Sequence, residues 1–250
     1  MWDRVELKTQ AKKVLKDNYW KAFLISLVIL IAGGDSGGGG SVGTSASDVL
    51  DSAGISFSTS ALLAVSIVTA AIIILIIAFR VLIGYGLEVG SRKYFVQTGQ
   101  YKDSKGCYNF AFDSFNFKGI ISTMFLKALY TFLWSLLFLI PGIIKSYSYR
   151  MVPYILADNP NLGADEAITL SRQMMDGNKF SLFVLELSFL GWYLLGALAL
   201  GIGILFVNPY YNATEAQLYL FLRDRAIGLG YCTNEDLNLR NDWHHGYYWN

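Results

Sequence analysis

The stretch ALLAVSIVTAAIIILIIAF, residues 61–79, contains no charged side chain. A run of about 18 or more apolar residues is long enough to cross a bilayer as a helix. A helix on the core of a soluble protein would instead carry a polar stripe at helical spacing. Because residues 61–79 have no such stripe, they predict a transmembrane helix.

Similar apolar blocks recur along the 250-residue chain, which is 54% hydrophobic and only 16% charged. Soluble domains are typically about 25% charged. Two blocks contain short breaks, IPGI at 140–143 and GIG at 201–203, where Pro141 and the glycines favour a helix end. Four longer spans are one interpretation. We favour an all-α, polytopic membrane helical bundle of six transmembrane helices, at about 20–32, 61–95, 118–140, 141–157, 179–200 and 203–222.

Lys and Arg residues alternate between the two sides of this predicted bundle. They are frequent before the first span and absent from residues 22–60, which include the glycine-rich stretch 33–45. The next connection is basic again, with Arg92, Lys93, Lys102, Lys105 and Lys118. The positive-inside rule then places both termini in the cytoplasm and the glycine-rich loop outside. Residues 1–225 form one membrane domain, and residues 226–250 form a cytoplasmic tail.

Two segments have the pattern of amphipathic helices at the cytoplasmic face. Leu7, Ala11, Val14 and Leu15 form an apolar stripe within residues 4–18, with lysines on the other faces. Residues 163–176 have a similar stripe. Such helices suit an anionic membrane surface, so we expect the lipid bilayer and its anionic headgroups as partners. A solvated charged helix is the alternative for residues 4–18.

A short motif containing Asp, Asn, an aromatic residue and Lys opens three of the predicted spans: DNYWK at 17–21, DSFNFK at 113–118 and DGNKF at 176–180. Asp suits a helix N-cap or first turn, and Lys and aromatic rings suit the headgroup level. The repeat predicts three hairpin-like units, each a surface helix plus two spans. Its interface residues are Asp17, Lys21, Asp113, Lys118, Asp176 and Lys179.

The segments KDNYWKAFLISL, NPNLGADEAITLSRQMMDGNKFSLFVLELSFLGW and GIGILFVNPYYNATEAQLYLFL resemble the bacterial integral-membrane family catalogued as domain of unknown function 975. The resemblance extends over about residues 4–225. It implies a six-helix protein of the bacterial cytoplasmic (cell) membrane, with no established activity and no catalytic residues to transfer. The glycine-rich loop and the segment after Arg225 depart from the family pattern.

Signals for catalysis or cofactor binding are weak, and we expect no enzyme activity, no cofactor and no metal. The sequence has none of the motifs HExxH, GxSxG or Walker A. Its two histidines, His244 and His245, are interpreted as part of an aromatic tail rather than a metal site. Cys107 and Cys232 have neither metal-ligand spacing nor a disulfide framework. A formal net charge of +1 gives no indication of nucleic-acid binding.

The most informative residues are charges inside the apolar blocks. Burying such a charge without a partner in hydrocarbon is costly, so these side chains should face one another or water. We expect Lys127 and Glu186 to share a centre, joined by Arg150 and by either Glu88 or Glu215 of the even-numbered spans, as a buried ion-pair network. That network indicates a structural, assembly, stress or immunity-type membrane component, with a possible protein partner or homo-oligomer. The alternative is a small-solute transporter or channel-like protein with a polar cavity formed by the same set: Arg80, Glu88, Lys127, Lys145, Arg150, Glu186 and Glu215.

Overall fold

The computed structural model describes residues 2–33, 59–198 and 202–239. Within these ranges the protein is all-α and has no β-strand, which confirms the predicted class. Most of the predicted outer loop (34–58), Gly201 in the second break, and the tail from residue 240 with His244 and His245 lie outside the described residues.

The helices follow one another with short connections. In chain order they are α1 Arg4–Ile31, α2 Thr59–Phe79, a π-helical turn Arg80–Gly84, α3 Tyr85–Gly99, α4 Cys107–Phe112, α5 Ser114–Leu137, α6 Leu139–Ser148, α7 Val152–Asp158, α8 Ala164–Met174, α9 Lys179–Leu198 and α10 Ile202–Gly228.

Among the described residues, three helical segments are long and apolar enough to cross a membrane: Leu63–Gly99, Ser114–Leu137 and Lys179–Leu198. The first joins α2, the π-helical turn and α3. A shorter apolar stretch, Asn18–Ile31, forms the second part of α1. These lengths and compositions support a membrane protein, as the sequence predicts.

The first part of α1 differs from its predicted setting. Its apolar stripe of Leu7, Ala11, Val14 and Leu15 is buried in the protein core, where α1 packs against α10. Lys8 also donates a 2.6 Å hydrogen bond to Ser188 of α9. An amphipathic stripe requires an apolar surface, and its sequence does not distinguish protein from lipid. Here the surface is the protein.

The three interface motifs coincide with helix boundaries. The first spans a break in helical geometry within α1, at Asn18. The second begins at Asp113, the N-cap residue of α5. In the third, Asn178 precedes α9, donates to the Met174 and Asp176 carbonyls, and accepts a 3.1 Å bond from Trp2 Nε1. The motif therefore marks local changes of chain direction, with Asn satisfying freed backbone groups in the third copy.

Glycines allow close approach at both predicted helix breaks. Only Phe138 separates α5 from α6, and a Cβ on Gly142 would lie 2.4 Å from Ser135 Oγ. A Cβ on Gly196 of α9 would lie 2.7 Å from the Ile204 backbone nitrogen of α10. Both distances are shorter than packed atoms tolerate, so larger side chains at these glycines would separate the helices.

The predicted fourth span, 141–157, is two helices rather than one. Helix α6 ends at Ser148, and α7 begins at Val152. Ser171 of α8 satisfies the backbone at the interruption, because its hydroxyl donates to the Ser148 carbonyl at 2.9 Å and accepts from the Met151 N–H at 3.2 Å. Such compensation is needed where a helix breaks inside a low-dielectric region. The intervening turn contains Arg150.

Helices α2 and α7 differ most in how much of their surface is exposed. Every residue of α2 from Leu63 to Phe79 is exposed except the half-buried Ala78, as expected for a helix in contact with lipid. In α7, by contrast, every residue from Val152 to Ala157 is buried. Helix α7 contacts α3 and α8, and α10 contacts α1, α3 and α8, so these five helices form the buried region of the protein. Most of the buried charge of the described residues lies in or beside it.

Candidate functional site

A cluster of four charged side chains links α3, the α6–α7 turn, α9 and α10. Its members are Arg92, Arg150, Glu186 and Glu215, which we call the central network. Two positive and two negative charges make it formally neutral. Helix α9 is long and apolar enough to span a membrane. By helical rise, Glu186 lies about 10 Å along this helix from its start at Lys179.

Glu215 is the hub of the central network. Its Oε2 atom accepts hydrogen bonds from Arg92 at 3.1 Å and from the Tyr154 hydroxyl at 3.0 Å. Its Oε1 atom accepts from Arg150 Nε. The side chains of Glu215 and Arg92 are each only 1% exposed. Both carboxylate oxygens therefore have cationic donors, which offsets the cost of removing this charge from water.

Glu186 forms the second half of the network. Its Oε1 atom accepts from Arg150 Nη2 at 3.1 Å and from the Tyr211 hydroxyl at 2.8 Å, and its Oε2 atom accepts from the Tyr147 hydroxyl. Arg150 also donates to Tyr211. With side chains 20% and 11% exposed, Glu186 and Arg150 form the more accessible edge of the network.

Neutral side chains extend the network to α1. Arg92 Nη1 donates to Asn212 Oδ1 at 2.9 Å and to the Tyr154 hydroxyl at 2.9 Å. Asn212 Nδ2 in turn donates to Ser26 Oγ at 2.9 Å. Buried polar networks in a low dielectric are stable only when their members are satisfied, and the bonds described here give partners to both carboxylates and to Arg92 Nη1. The network thus connects helices that are distant in sequence.

A separate ion pair lies near the end of α1. Arg80, in the π-helical turn, donates to Glu88 Oε2 at 2.6 Å, and the Glu88 side chain is fully buried. Arg80 also donates to the Ala32 carbonyl, and its guanidinium lies 5.0 Å from the centre of the Tyr85 ring. This pair fixes α3 against the last residues of α1.

The structure brings together some of the predicted intramembrane charges. Arg150, Glu186 and Glu215 form the network, and Arg80 and Glu88 pair with each other. Lys127 is half-buried, and among the described residues it makes no ion pair with Glu186, whose cationic partner is Arg150. Lys145 lies elsewhere, with its ammonium 4.7 Å from the centre of the Trp134 ring.

Arg92 is the network residue that the sequence analysis missed, because it was counted among the charges of a cytoplasmic connection. It is instead buried in α3. A signal was present in the sequence: Arg92 follows Glu88 by one helical turn, within a block predicted to remain helical to residue 95. The tyrosines one turn before Arg150 and Glu215 are another such signal, since Tyr147 and Tyr211 both bind Glu186.

A cleft of about 420 Å³ lies beside the end of α6, where Ser148 is one of its lining residues. We call it the cationic cleft, and its lining residues are Lys145, Ser148, Thr169, Arg172, Gln173, Asp176 and Lys179. It shares no lining residue with the central network. Among the described residues, no group of three or more His, Cys, Asp or Glu side chains has an arrangement that could hold a metal ion.

The comparisons with known proteins are limited to one segment. A family model described as "Protein of unknown function (DUF975)" matches residues 136–226. The match confirms the family resemblance over this segment. No curated protein and no solved structure matches the chain.

The DUF975 segment contains most of the residues described above. It includes Arg150, Glu186 and Glu215 of the central network and all of the cationic cleft. Arg92, Ser26 and the Arg80–Glu88 pair lie outside it. DUF975 carries no assigned activity, so the family adds no chemistry to either cluster.

Proposed function

We propose that this chain is a non-catalytic, non-transporting integral protein of the bacterial cytoplasmic membrane, of structural, assembly, stress or immunity type. The observation that carries the proposal is the central network. It is neutral, its carboxylates are fully hydrogen-bonded, and its hub is 1% exposed. A path for an anion would require an excess of positive charge facing water, whereas this arrangement fixes helices against one another.

The proposed topology has six crossings with both termini in the cytoplasm. The three long apolar segments supply three crossings, and the apolar part of α1, the α6–α7 pair and α10 supply the others. The distribution of Lys and Arg supports the orientation. A partner protein or a second copy would then bind at the membrane-embedded or cytoplasmic surface.

Cysteine labelling tests this topology on intact cells. In a Cys107→Ser/Cys232→Ser background, Ser41→Cys should react with an impermeant thiol reagent and Asn238→Cys should react only after lysis. The reverse pattern would contradict the orientation. Labelling of both positions on intact cells would contradict an even number of crossings.

The transporter alternative is favoured by one observation, the 20% exposure of Glu186. Proteoliposomes containing a trapped pH-sensitive dye distinguish the two functions for protons and coupled ions. The proposed function predicts no flux above protein-free vesicles for the wild type or for Glu186→Gln. Flux that is present in the wild type and lost in Glu186→Gln would instead support a transport path along the network.

A further inference from the structure

The cationic cleft collects positive charge from three separate elements. Lys145 is in the last turn of α6, Arg172 is in the last turn of α8, and Lys179 is the first residue of α9. Asp176 is the one carboxylate in the lining, so the cleft carries a formal charge of +2. The last turns of α6 and α8 and the start of α9 therefore bring these charges around one space of about 420 Å³.

These cations differ from the buried arginines in having no carboxylate partner. Among the described residues, neither Lys145, Arg172 nor Lys179 is within 4.0 Å of an acidic group. Arg172 is exposed, and the two lysines are half-buried. Like charges that share a cleft repel one another, and a bound anion relieves that repulsion.

The neutral lining residues suit an oxyanion. Thr169 and Gln173 are exposed side chains on α8 that can donate hydrogen bonds into the cleft. The Arg172 guanidinium can bind two oxygens of one phosphate group, and the lysines supply point charges. Phosphate combines the charge and the number of acceptor atoms that this set of donors requires.

Apolar surface lies directly beside the cations. Ile144, next to Lys145, is 48% exposed, and Phe180, next to Lys179, is 74% exposed. A second cleft, of about 360 Å³, shares Lys145, Thr169 and Arg172 with the first, and its other lining residues are Tyr130, Trp134, Tyr149, Ile168 and one carboxylate, Asp165. The lining thus changes from cationic to aromatic and apolar over one continuous surface, as an amphiphile with a phosphate headgroup would require.

We propose that the cationic cleft binds a phosphate group through Lys145, Arg172 and Lys179. The phosphate belongs either to an anionic phospholipid or to a soluble phosphate compound, and the chemistry of recognition is the same for both. This inference goes beyond the proposed function. It does not depend on that function, because the cleft and the central network have no residue in common.

The test uses the full-length protein purified in a mild detergent. One arm measures retention of dioleoylphosphatidylglycerol by native mass spectrometry, with dioleoylphosphatidylcholine as the zwitterionic comparison, whose choline group balances the charge of its phosphate. The other arm measures binding of inorganic pyrophosphate by calorimetry. The variants are Lys145→Gln, Arg172→Gln, Lys179→Gln and their combination. Lys105→Gln is the matched control, because it removes an exposed lysine of the connection between α3 and α4, outside the cleft.

Each single change should weaken binding about fivefold, since one basic residue near a membrane surface contributes about that much to attraction of anionic lipid. The triple variant should lose binding, and Lys105→Gln should bind as the wild type does. Retention of phosphatidylglycerol without pyrophosphate binding would identify a lipid headgroup, and the converse would identify a soluble ligand.

Two results would overturn the proposal: no binding in either arm, or equal binding by the wild type and the three single variants. Should the triple variant not fold, the single variants carry the test. The charge-preserving change Arg172→Lys provides a further check, because it keeps the positive charge but loses the two-oxygen contact of the guanidinium, so its lipid binding should lie between that of the wild type and that of Arg172→Gln.

Discussion

The central network and the cationic cleft both contain residues at or next to the α6–α7 break, Arg150 and Ser148, but they differ in how their charges are paired. In the network, two arginines and two glutamates neutralise one another with little exposure. In the cleft, three cations face one carboxylate and make no ion pair within the described residues. The carboxylates of the network thus have cationic partners within the protein, whereas our proposal assigns the cations of the cleft to a bound phosphate group.

The largest effect should come from the hub of the network. Glu215→Gln keeps the shape of the side chain but leaves Arg92 and Arg150 without one of their counter-charges. Stranding buried cations costs about 3–5 kcal/mol of unfolding free energy. We expect a large drop in melting temperature in detergent or loss of folded protein. Glu235→Gln, an exposed acid in the chain after α10, is the control and should be silent.

The accessible edge of the network should be less sensitive. Glu186→Gln should cost about 2 kcal/mol, because the side chain keeps part of its hydrogen bonding and is 20% exposed. Combining it with Arg150→Met should give a non-additive result, with a coupling energy of about 1–3 kcal/mol. The same cycle with Lys127→Met should be additive. Coupling to Lys127 rather than to Arg150 would contradict the observed pairing.

Neutralising the cationic cleft should affect stability much less than neutralising the network. Lys145 and Arg172 are in the last turns of their helices, where a cation contributes about 0.3–1 kcal/mol. Removing their mutual repulsion offsets part of that loss. We expect Lys145→Gln and Arg172→Gln to change the unfolding free energy by less than about 1 kcal/mol. A loss as large as that of Glu215→Gln would remove the distinction between the two clusters.

The smallest effect should be on the rate at which a thiol reagent modifies the two native cysteines, Cys107 and Cys232, which are both buried. Burial raises the pKa of both Cys107 and Cys232 to about 11. With a pKa that high, the reactive thiolate is on the order of 0.1% of each group at pH 8. Modification by a thiol reagent at pH 8 should therefore be slow in the folded wild type and faster in Glu215→Gln. Rapid modification of the wild type would mean that this region is not packed as described.

The sequence was sufficient to predict the helical class and several buried charges, because an apolar block and a charge within it are local features. It predicted a shared centre for Glu186 and Arg150, but it included Lys127 in that centre and omitted Arg92. The buried residues of α5, Ile120, Thr123 and Met124, lie in the first half of the helix, and Lys127 follows them. Depth along a helix can be read from the sequence, but rotation and partner depend on how the helices pack.

The α6–α7 break shows the same limit. Pro141 and the glycine beside it indicated where one helix ends, and α6 does begin just before them. The interruption at 149–151 has no proline or glycine to indicate it. It depends on Ser171, which is distant in sequence and supplies the missing backbone bonds. The local sequence of the predicted fourth span therefore could not show that this span is interrupted.

The central claim is that the charges of the network pair with one another and hold the helices together, and do not line a water-filled path. Its most direct test is the unfolding free energy, in one detergent, of the wild type, Glu215→Gln, and a variant without the four charges: Arg92→Met, Arg150→Met, Glu186→Gln and Glu215→Gln. If the charges pair, the variant that lacks all four should recover at least half of the unfolding free energy lost in Glu215→Gln, because no charge of the network is then left unpaired. Losses that simply add across the four substitutions would contradict it.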